Sequence, residues 1–191
     1  MVRSSRFTML LFILAWMAAS SEARSQVLGV FADQAGENCD IVAPVGVLTQ
    51  CFLVLKSPGV VDGATWIELA IRGLPDSWVG WIDVCPPCAV YLPSGFGDGA
   101  NLPLMGDCHR GDPMVLAPVY LFPISEARDV RLEVGAMSRP TDPNFNCPQV
   151  GLCDARTRVC VRGGQSRVNS NGRCTVSTTS RSWSAYKRLY E

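Results

Sequence analysis

Between positions 27 and 162, apolar and polar residues alternate with the period of two that is typical of β-strands. In residues 65–72, for example, Ile67 and Leu69 share one face of an extended chain, while Glu68 and Arg72 share the other. Either this alternation or a short apolar run predicts seven strands, at 27–31, 47–56, 65–72, 78–82, 114–122, 130–136 and 157–162.

Clusters of Gly, Pro, Asp and Asn separate these strands, and no stretch between them has the period of a helix. The run at 114–122 is apolar on both faces, which predicts a central strand, although Pro118 predicts a bulge or a break within it. Strands that follow one another without helices pack as a sandwich. We therefore expect an all-β protein, an antiparallel Ig-like β-sandwich of about seven to nine strands.

The first 23 residues have the parts of a cleavable secretory signal. Arg3 and Arg6 are positive, an apolar stretch covers residues 7–19, and Ser21 and Ala23 are the small residues before a predicted cleavage after Ala23. A membrane anchor is the alternative, but a helix needs about 20 apolar residues to cross a bilayer. We expect a mature chain without a transmembrane segment, secreted or held in the periplasm or cell envelope.

The chain changes character after the last predicted strand. A sandwich domain at 24–162 is followed by a turn-rich linker at 163–181 and by a short basic amphipathic helix at 182–191. The residues of this helix predicted to dock on a partner are Trp183, Tyr186, Lys187, Leu189 and Tyr190. Because so short a helix is unstable alone in water, it must pack on its own sandwich, on an envelope or secretion-system protein, or on a membrane surface.

Charge is distributed unevenly, although the formal total is zero. Residues 24–154 contain fifteen Asp and Glu against seven Lys and Arg, a net charge of −8. Residues 155–191 contain eight Lys and Arg against one Glu, a net charge of +7. The basic end can meet an anionic surface or fold back on the acidic domain.

All nine cysteines follow the predicted cleavage site, so disulfides are expected. An odd number leaves at least one thiol over, and Cys51 is predicted to be that thiol because it lies within an apolar strand. The disulfide candidates are Cys39, Cys85, Cys88, Cys108, Cys147, Cys153, Cys160 and Cys174. The sequence does not determine their connectivity, but the short loop between Cys153 and Cys160 predicts a bond between these two.

Cys85 and Cys88 have the spacing of a redox dithiol or of half a zinc site. The two prolines between them and the loop-like sequence after them favour a structural disulfide, and no second pair has this spacing. His109 is the single histidine and adjoins Cys108, where the two side chains do not face each other as a catalytic dyad requires. We predict no catalytic residue, no cofactor and no metal site.

Two extracellular binding chemistries stay open as alternatives. Trp66, Trp78 and Trp81 could stack on sugar rings, although Trp78 and Trp81 lie on opposite faces of one strand, so at least one of them is expected in the core. Three aspartates in Gly-rich loops could bind Ca²⁺, but their spacing matches no EF-hand. They are Asp98, Asp107 and Asp112.

Four motifs carry a resemblance to known proteins. They are the run 28–33 followed by Cys39, the run 73–78, the cysteine-containing runs within 144–161, and the terminal Trp-x-x-Tyr-Lys-x-Leu-Tyr at 183–190. Together they resemble a group of uncharacterised exported bacterial β-sandwich proteins, in which an aliphatic residue is more usual where this chain has Tyr186. The strand pattern is also loosely similar to cohesin-like sandwiches, which bind protein partners. Because these motifs are structural in kind, the resemblance implies no activity.

The sequence therefore predicts a secreted, non-enzymatic structural or protein-binding module with a C-terminal sorting or attachment helix. One alternative is a carbohydrate-binding or Ca²⁺-dependent extracellular module. The other is an exported thiol-active protein that works through Cys85 and Cys88. We expect no nucleic-acid partner.

Overall fold

The computed structural model describes residues 26–56, 62–84, 90–91, 97–104, 108–154, 156–171 and 174. All of them belong to one compact unit, Ser25–Thr179. Within these residues the chain forms thirteen β-strands and no helix. The predicted signal peptide, the Cys85–Cys88 pair and the predicted C-terminal helix lie outside the described residues.

Six of the seven predicted strands are present to within two residues at each end, and the seventh is divided in two. In chain order the strands are β1 (Val27–Phe31), β2 (Asp40–Ile41), β3 (Thr49–Lys56), β4 (Ala64–Arg72), β5 (Trp78–Ile82), β6 (Val90–Tyr91), β7 (Ala100–Pro103), β8 (Met114–Pro123), β9 (Val130–Gly135), β10 (Gln149–Leu152), β11 (Arg158–Cys160), β12 (Arg162–Gly163) and β13 (Gln165–Val168).

The strands form two sheets. A six-stranded sheet has the order β12-β1-β3-β8-β5-β6, and a seven-stranded sheet has the order β11-β10-β4-β9-β13-β2, with β7 paired to β4. The pairings are antiparallel, as expected, except that β12 runs parallel to β1 and β13 runs parallel to β2. Both exceptions involve strands too short for a periodic pattern to reveal.

The sandwich continues beyond residue 162, where the sequence predicted a linker. Between β11 and β12 the chain passes from one sheet to the other at Val161, which is buried. β13 then adds to β9, with Ser166 and Val168 buried. Turn residues surround both strands, so their composition alone indicated loop.

The core lies between the sheets and takes one face of every long strand. Ile67, Leu69 and Ile71 of β4 point into it, as the alternation predicted. Glu68 is also buried, although it was predicted on the opposite face of β4. Its carboxylate accepts hydrogen bonds from the Thr141 backbone amide, at 3.1 and 3.2 Å, and from Gln149 Nε2, at 2.9 Å. These donors compensate for the loss of water around the buried carboxylate.

Pro118 lies within β8 and does not break it, because β8 is continuous from Met114 to Pro123. The predicted bulge is present nearby, since the register with β3 shifts between Leu53 and Val54. Leu53 pairs with Ala117 and Val54 pairs with Val115, so one residue of β8 is passed over. β8 thus remains the central strand between β3 and β5.

Three disulfides connect described residues: Cys39–Cys174, Cys108–Cys153 and Cys147–Cys160. The predicted Cys153–Cys160 bond is therefore wrong. In the β10–β11 hairpin, Cys160 lies opposite Gln149, and Cys153 follows Gln149 by four residues, about 13 Å along the strand. Cys147 precedes Gln149 by two residues and so lies at the same end of the hairpin as Cys160, with which it forms the disulfide.

Cys153 instead meets Cys108 beside Gly63. Ala64 pairs with Leu152 on one side and with His109 on the other, and Cys153 and Cys108 adjoin these two partners. Both sulfurs lie against Gly63. A Cβ at Gly63 would lie 2.6 Å from the Cys153 Sγ, so only glycine leaves room for this disulfide.

Removal of the disulfides should destabilise the fold in order of the loop length that each one closes. Cys39–Cys174 spans 135 residues and Cys147–Cys160 spans 13. Replacing both cysteines of a pair by alanine should lower the free energy of unfolding by about 5 kcal/mol for the first pair and about 3 kcal/mol for the second. Urea denaturation of the two double variants measures this difference. Equal losses, or a larger loss for the short loop, would contradict the expectation.

Candidate functional site

The two sheets differ sharply in their charge. The strands of the six-stranded sheet contain only two charged residues, Lys56 and Arg162. Those of the seven-stranded sheet contain seven: Asp40, Glu68, Arg72, Arg131, Glu133, Arg158 and Arg167. An antiparallel sheet with one face in water normally carries polar side chains on that face. The outer face of the six-stranded sheet departs from this rule.

Apolar side chains cover this outer face on three adjacent strands. Along β8, alternate residues point into the core and the others are half-buried on the outside. β5 alternates in the same way, with Trp78 and Ile82 inside. We call the half-buried outer set the aromatic face. It consists of Phe52, Val79, Trp81, Val115, Pro118, Tyr120 and Phe122.

Pairs across the strands hold the aromatic face together. Trp81 of β5 lies opposite Tyr120 of β8, and their rings stack with centroids 5.3 Å apart and planes at 22°. Val79 pairs with Phe122 in the same register. Such aromatic and aromatic–aliphatic pairs stabilise a sheet by about 0.2–1 kcal/mol each and fix the orientation of the rings.

A loop and a disulfide cover the adjoining part of the outer face. Phe31, Val54 and Cys39 form a second buried cluster there, against which Phe52 and Cys174 pack. The chain between β1 and β2 folds over this cluster with Gly36 in a left-handed conformation (φ 64°), where a Cβ would lie 3.3 Å from Val54 Cγ1. This cover ends at Phe52 and Val115, where the aromatic face begins.

Exposed apolar side chains lie on two adjoining loops at one end of the sandwich. All the large hydrophobic side chains that are exposed in the described residues are on these loops, and we call this set the end patch. Its members are Val42 (74% exposed), Val45 (46%), Val47 (50%), Leu48 (51%) and Ile124 (59%). Four of them come from the β2–β3 connection, and the fifth follows β8.

Hydrogen bonds fix the two loops of the end patch to each other. The Gly46 amide donates to the Pro123 carbonyl oxygen at 2.8 Å. The Asn169 side chain accepts from the Ala43 amide and donates to the Ala43 carbonyl oxygen, both at 2.8 Å, and donates to the Ala127 carbonyl oxygen at 3.3 Å. The exposed side chains therefore stand on a fixed backbone.

The three tryptophans considered for sugar stacking do not come together. Trp78 is buried, with its Nε1 donating to the Ser125 carbonyl oxygen at 2.9 Å, while Trp81 lies outside, so the prediction of opposite faces is confirmed. Trp66 belongs to the other sheet, where the Arg158 guanidinium lies 5.2 Å from its ring centroid. A platform of all three is ruled out by this arrangement.

The residues considered for metal or catalytic chemistry are dispersed. Among the described residues, no group of three or more His, Cys, Asp and Glu is arranged to hold a metal ion. His109 pairs with Ala64 through two backbone hydrogen bonds of 2.9 Å at the edge of β4. Asp107 and the docking residues predicted at 183–190 lie outside the described part of the chain.

Cys51 is the free cysteine among the described residues, as the sequence predicted. It is fully buried in β3, and desolvation raises the pKa of its thiol to about 12. The thiol therefore packs as a small apolar group and is not nucleophilic at neutral pH.

Comparison with known proteins relates the chain to no sequence family. No protein-family model matches it, and no curated protein matches its sequence. The part of the chain that the structure describes also contains no helix long and apolar enough to cross a membrane.

The fold is similar to solved cohesin modules. One, from a family 33 glycoside hydrolase of Clostridium perfringens, is 14% identical with a TM-score of 0.40, over 77% of this chain and 98% of that one. The sixth cohesin of scaffoldin B from Acetivibrio cellulolyticus, solved with a mutated Cel5 dockerin, is 14% identical with a TM-score of 0.45, over 77% and 99%. The third ScaB cohesin of R. flavefaciens, solved with a group 1 dockerin, is 11% identical with a TM-score of 0.40, over 76% and 95%.

The chain forms a two-sheet β-sandwich, and its likeness to these modules is loose. Because the TM-scores do not exceed 0.45, what it binds has to be inferred from its own surface. Sequence reasoning had one signal for the aromatic face, namely the strand at 114–122 that is apolar on both faces. It had none for the end patch, since residues 47 and 48 were taken as part of a strand.

The raised pKa of Cys51 predicts how its thiol reacts and how pH affects stability. In native protein at pH 8, iodoacetamide should leave the peptide containing Cys51 unmodified, and in urea it should label that peptide fully. Native labelling of Cys51 at a rate close to that in urea would disprove its burial.

The same pKa shift predicts how pH affects stability. Between the unfolded pKa of about 9 and the folded value of about 12, only the unfolded state loses the proton, so this group makes the free energy of unfolding fall as pH rises.

Proposed function

We propose that this chain is an exported, non-enzymatic module that binds a partner protein through its aromatic face. The observation that carries the proposal is a sheet whose outer face bears seven apolar side chains on β3, β8 and β5, in strands that contain only Lys56 as a charged residue. Leaving such a surface in water forgoes about 25 cal/mol for each Å² that a partner would cover. Contiguous apolar surfaces of this kind mark interaction sites.

The chemistry of the face favours a protein as the ligand. Trp and Tyr are enriched among the side chains that dominate protein interfaces, and the Trp81–Tyr120 stack offers both in a fixed orientation. Recognition through side chains is favoured over strand addition, because among the described residues the sheet ends at β6 and β12, which are two residues long.

Export is supported by two independent features. The sequence begins with a predicted secretory signal, and three disulfides join described cysteines, as is typical of an oxidising compartment. In such a compartment these disulfides stabilise the folded module.

Photo-crosslinking on intact producing cells tests the proposal. A benzophenone amino acid at Tyr120 or Phe122 should form a discrete crosslink to a partner, and the same group at Trp66 on the opposite sheet should not. Combining the Phe122 probe with Trp81→Ala should weaken the crosslink at least tenfold, because loss of a central aromatic contact costs about 2 kcal/mol or more. Trp66→Ala is the matched control and should leave it unchanged.

The structure of the variants shows whether a weaker crosslink reflects lost binding or lost folding. Both alanine variants should keep the circular dichroism spectrum and the three disulfides of the parent chain. Crosslinks of equal strength from both sheets, or none from the aromatic face, would refute the proposal.

The basic aromatic segment at 182–191 is proposed as a separate sorting or attachment element. Deleting residues 175–191 keeps Cys174 and all the strands that the structure describes, so the domain should fold with an unchanged melting temperature. The truncated protein should be exported but lose its attachment to the cell surface or envelope, which fractionation measures. Unfolding of the truncated chain would show instead that the segment is part of the fold.

A further inference from the structure

The end patch is separate from the aromatic face, so the partner proposed for that face does not account for it. It is wholly aliphatic, and homodimer interfaces are more apolar than non-obligate interfaces. Val42, Val45, Val47, Leu48 and Ile124 are all at least 46% exposed. An uncharged surface of this kind can face a copy of itself without placing like charges together.

The area of the patch suits a dimer of moderate strength. An aliphatic side chain presents on the order of 100 Å² when fully exposed, so five side chains that are 46–74% exposed leave on the order of 300 Å² of apolar surface. A standard interface buries about 800 Å² on each partner, somewhat more than half of it apolar. The five side chains therefore provide the larger part of the apolar area that a stable dimer needs.

The rim of the patch carries both signs of charge. Glu126 and Arg128 are exposed on the loop that follows Ile124, and Ala127 between them is half-buried. Among the residues that the structure describes, the ion pairs are Arg110–Asp62 and Arg167–Asp129, so neither Glu126 nor Arg128 is used in one. In a two-fold symmetric interface, a contact from residue i to residue j is repeated from j to i. One loop facing its copy would thus form two Glu126–Arg128 pairs.

We propose that the end patch is the interface of a symmetric homodimer of this chain. The aliphatic side chains of the two copies pack against each other, and Glu126 of each copy pairs with Arg128 of the other. The backbone is already held in place by Asn169 and by the Gly46–Pro123 hydrogen bond, so association orders little of the loop. The aromatic face is left to a different partner.

Sedimentation velocity of the mature chain over a range of concentrations tests the dimer. We expect a monomer–dimer equilibrium with a dissociation constant in the micromolar range, and at least tenfold weaker association for Leu48→Asp and for Ile124→Asp. Both substitutions are at exposed positions, so the monomers should remain folded. Trp81→Ala on the aromatic face is the control and should associate like the parent chain.

A charge exchange tests the symmetry. Glu126→Arg alone and Arg128→Glu alone should each weaken the dimer severalfold, because each places like charges against each other. The chain with both substitutions should regain parental association, because the two cross-pairs form again with their signs reversed.

Several results would overturn the proposal. They are a monomer at concentrations up to about 100 µM, a dimer that persists with Leu48→Asp, and a double charge exchange that is no stronger than the single ones. A dimer that resists detergent without reductant would also contradict it, since that dimer is held by an intermolecular disulfide. The crosslinking result at the aromatic face is independent of all these outcomes.

Discussion

The six-stranded sheet carries mostly apolar side chains on both of its faces, and much of the rest of the structure depends on how they are shielded from water. Its central strand, β8, alternates core residues such as Leu121 with outward residues such as Tyr120, and neither set is charged. One face builds the core against the seven-stranded sheet. The other face must be shielded from water by the chain itself or by a partner, because burial of apolar surface is the main favourable term in folding and in association.

The described part of the chain shields only part of that outer face. The turn between β1 and β2 lies on Val54, and the Cys39–Cys174 disulfide joins the start of the domain to its end over the same cluster. This bond closes a loop of 135 residues, which makes it the costliest of the three described disulfides to lose. Beyond this cover, ordered aromatic pairs remain accessible. The seven-stranded sheet instead has charged residues on its strands and a hydrogen-bonded Glu68, and so needs no second partner to remain in water.

Strong period-two patterns predicted the long strands well. The short strands, the disulfide connectivity and the exposed surfaces were predicted poorly. The strands from β3 to β9 that exceed four residues were all located, because each buries one face and its alternation is therefore visible. β13 was missed, and the division between β11 and β12 was not foreseen, because β12 and β13 pair with β1 and β9, which are more than thirty residues away in the chain. The Cys153–Cys160 bond was wrong for a related reason: a short loop suggests proximity, but the hairpin register separates these residues. The aromatic face was partly visible in the doubly apolar strand at 114–122, while the end patch depends on exposures that only the folded chain defines.

The central claim is that a partner covers the aromatic face of the exported protein. Hydroxyl-radical footprinting, on producing cells and on the purified chain, measures this most directly, because oxidation reports the solvent exposure of individual side chains. We predict that Trp81, Tyr120 and Phe122 are oxidised in the purified protein and protected at least severalfold on cells, while Trp66 on the other sheet is oxidised equally in both. Equal oxidation of Trp81 and Tyr120 in the two settings would contradict the account.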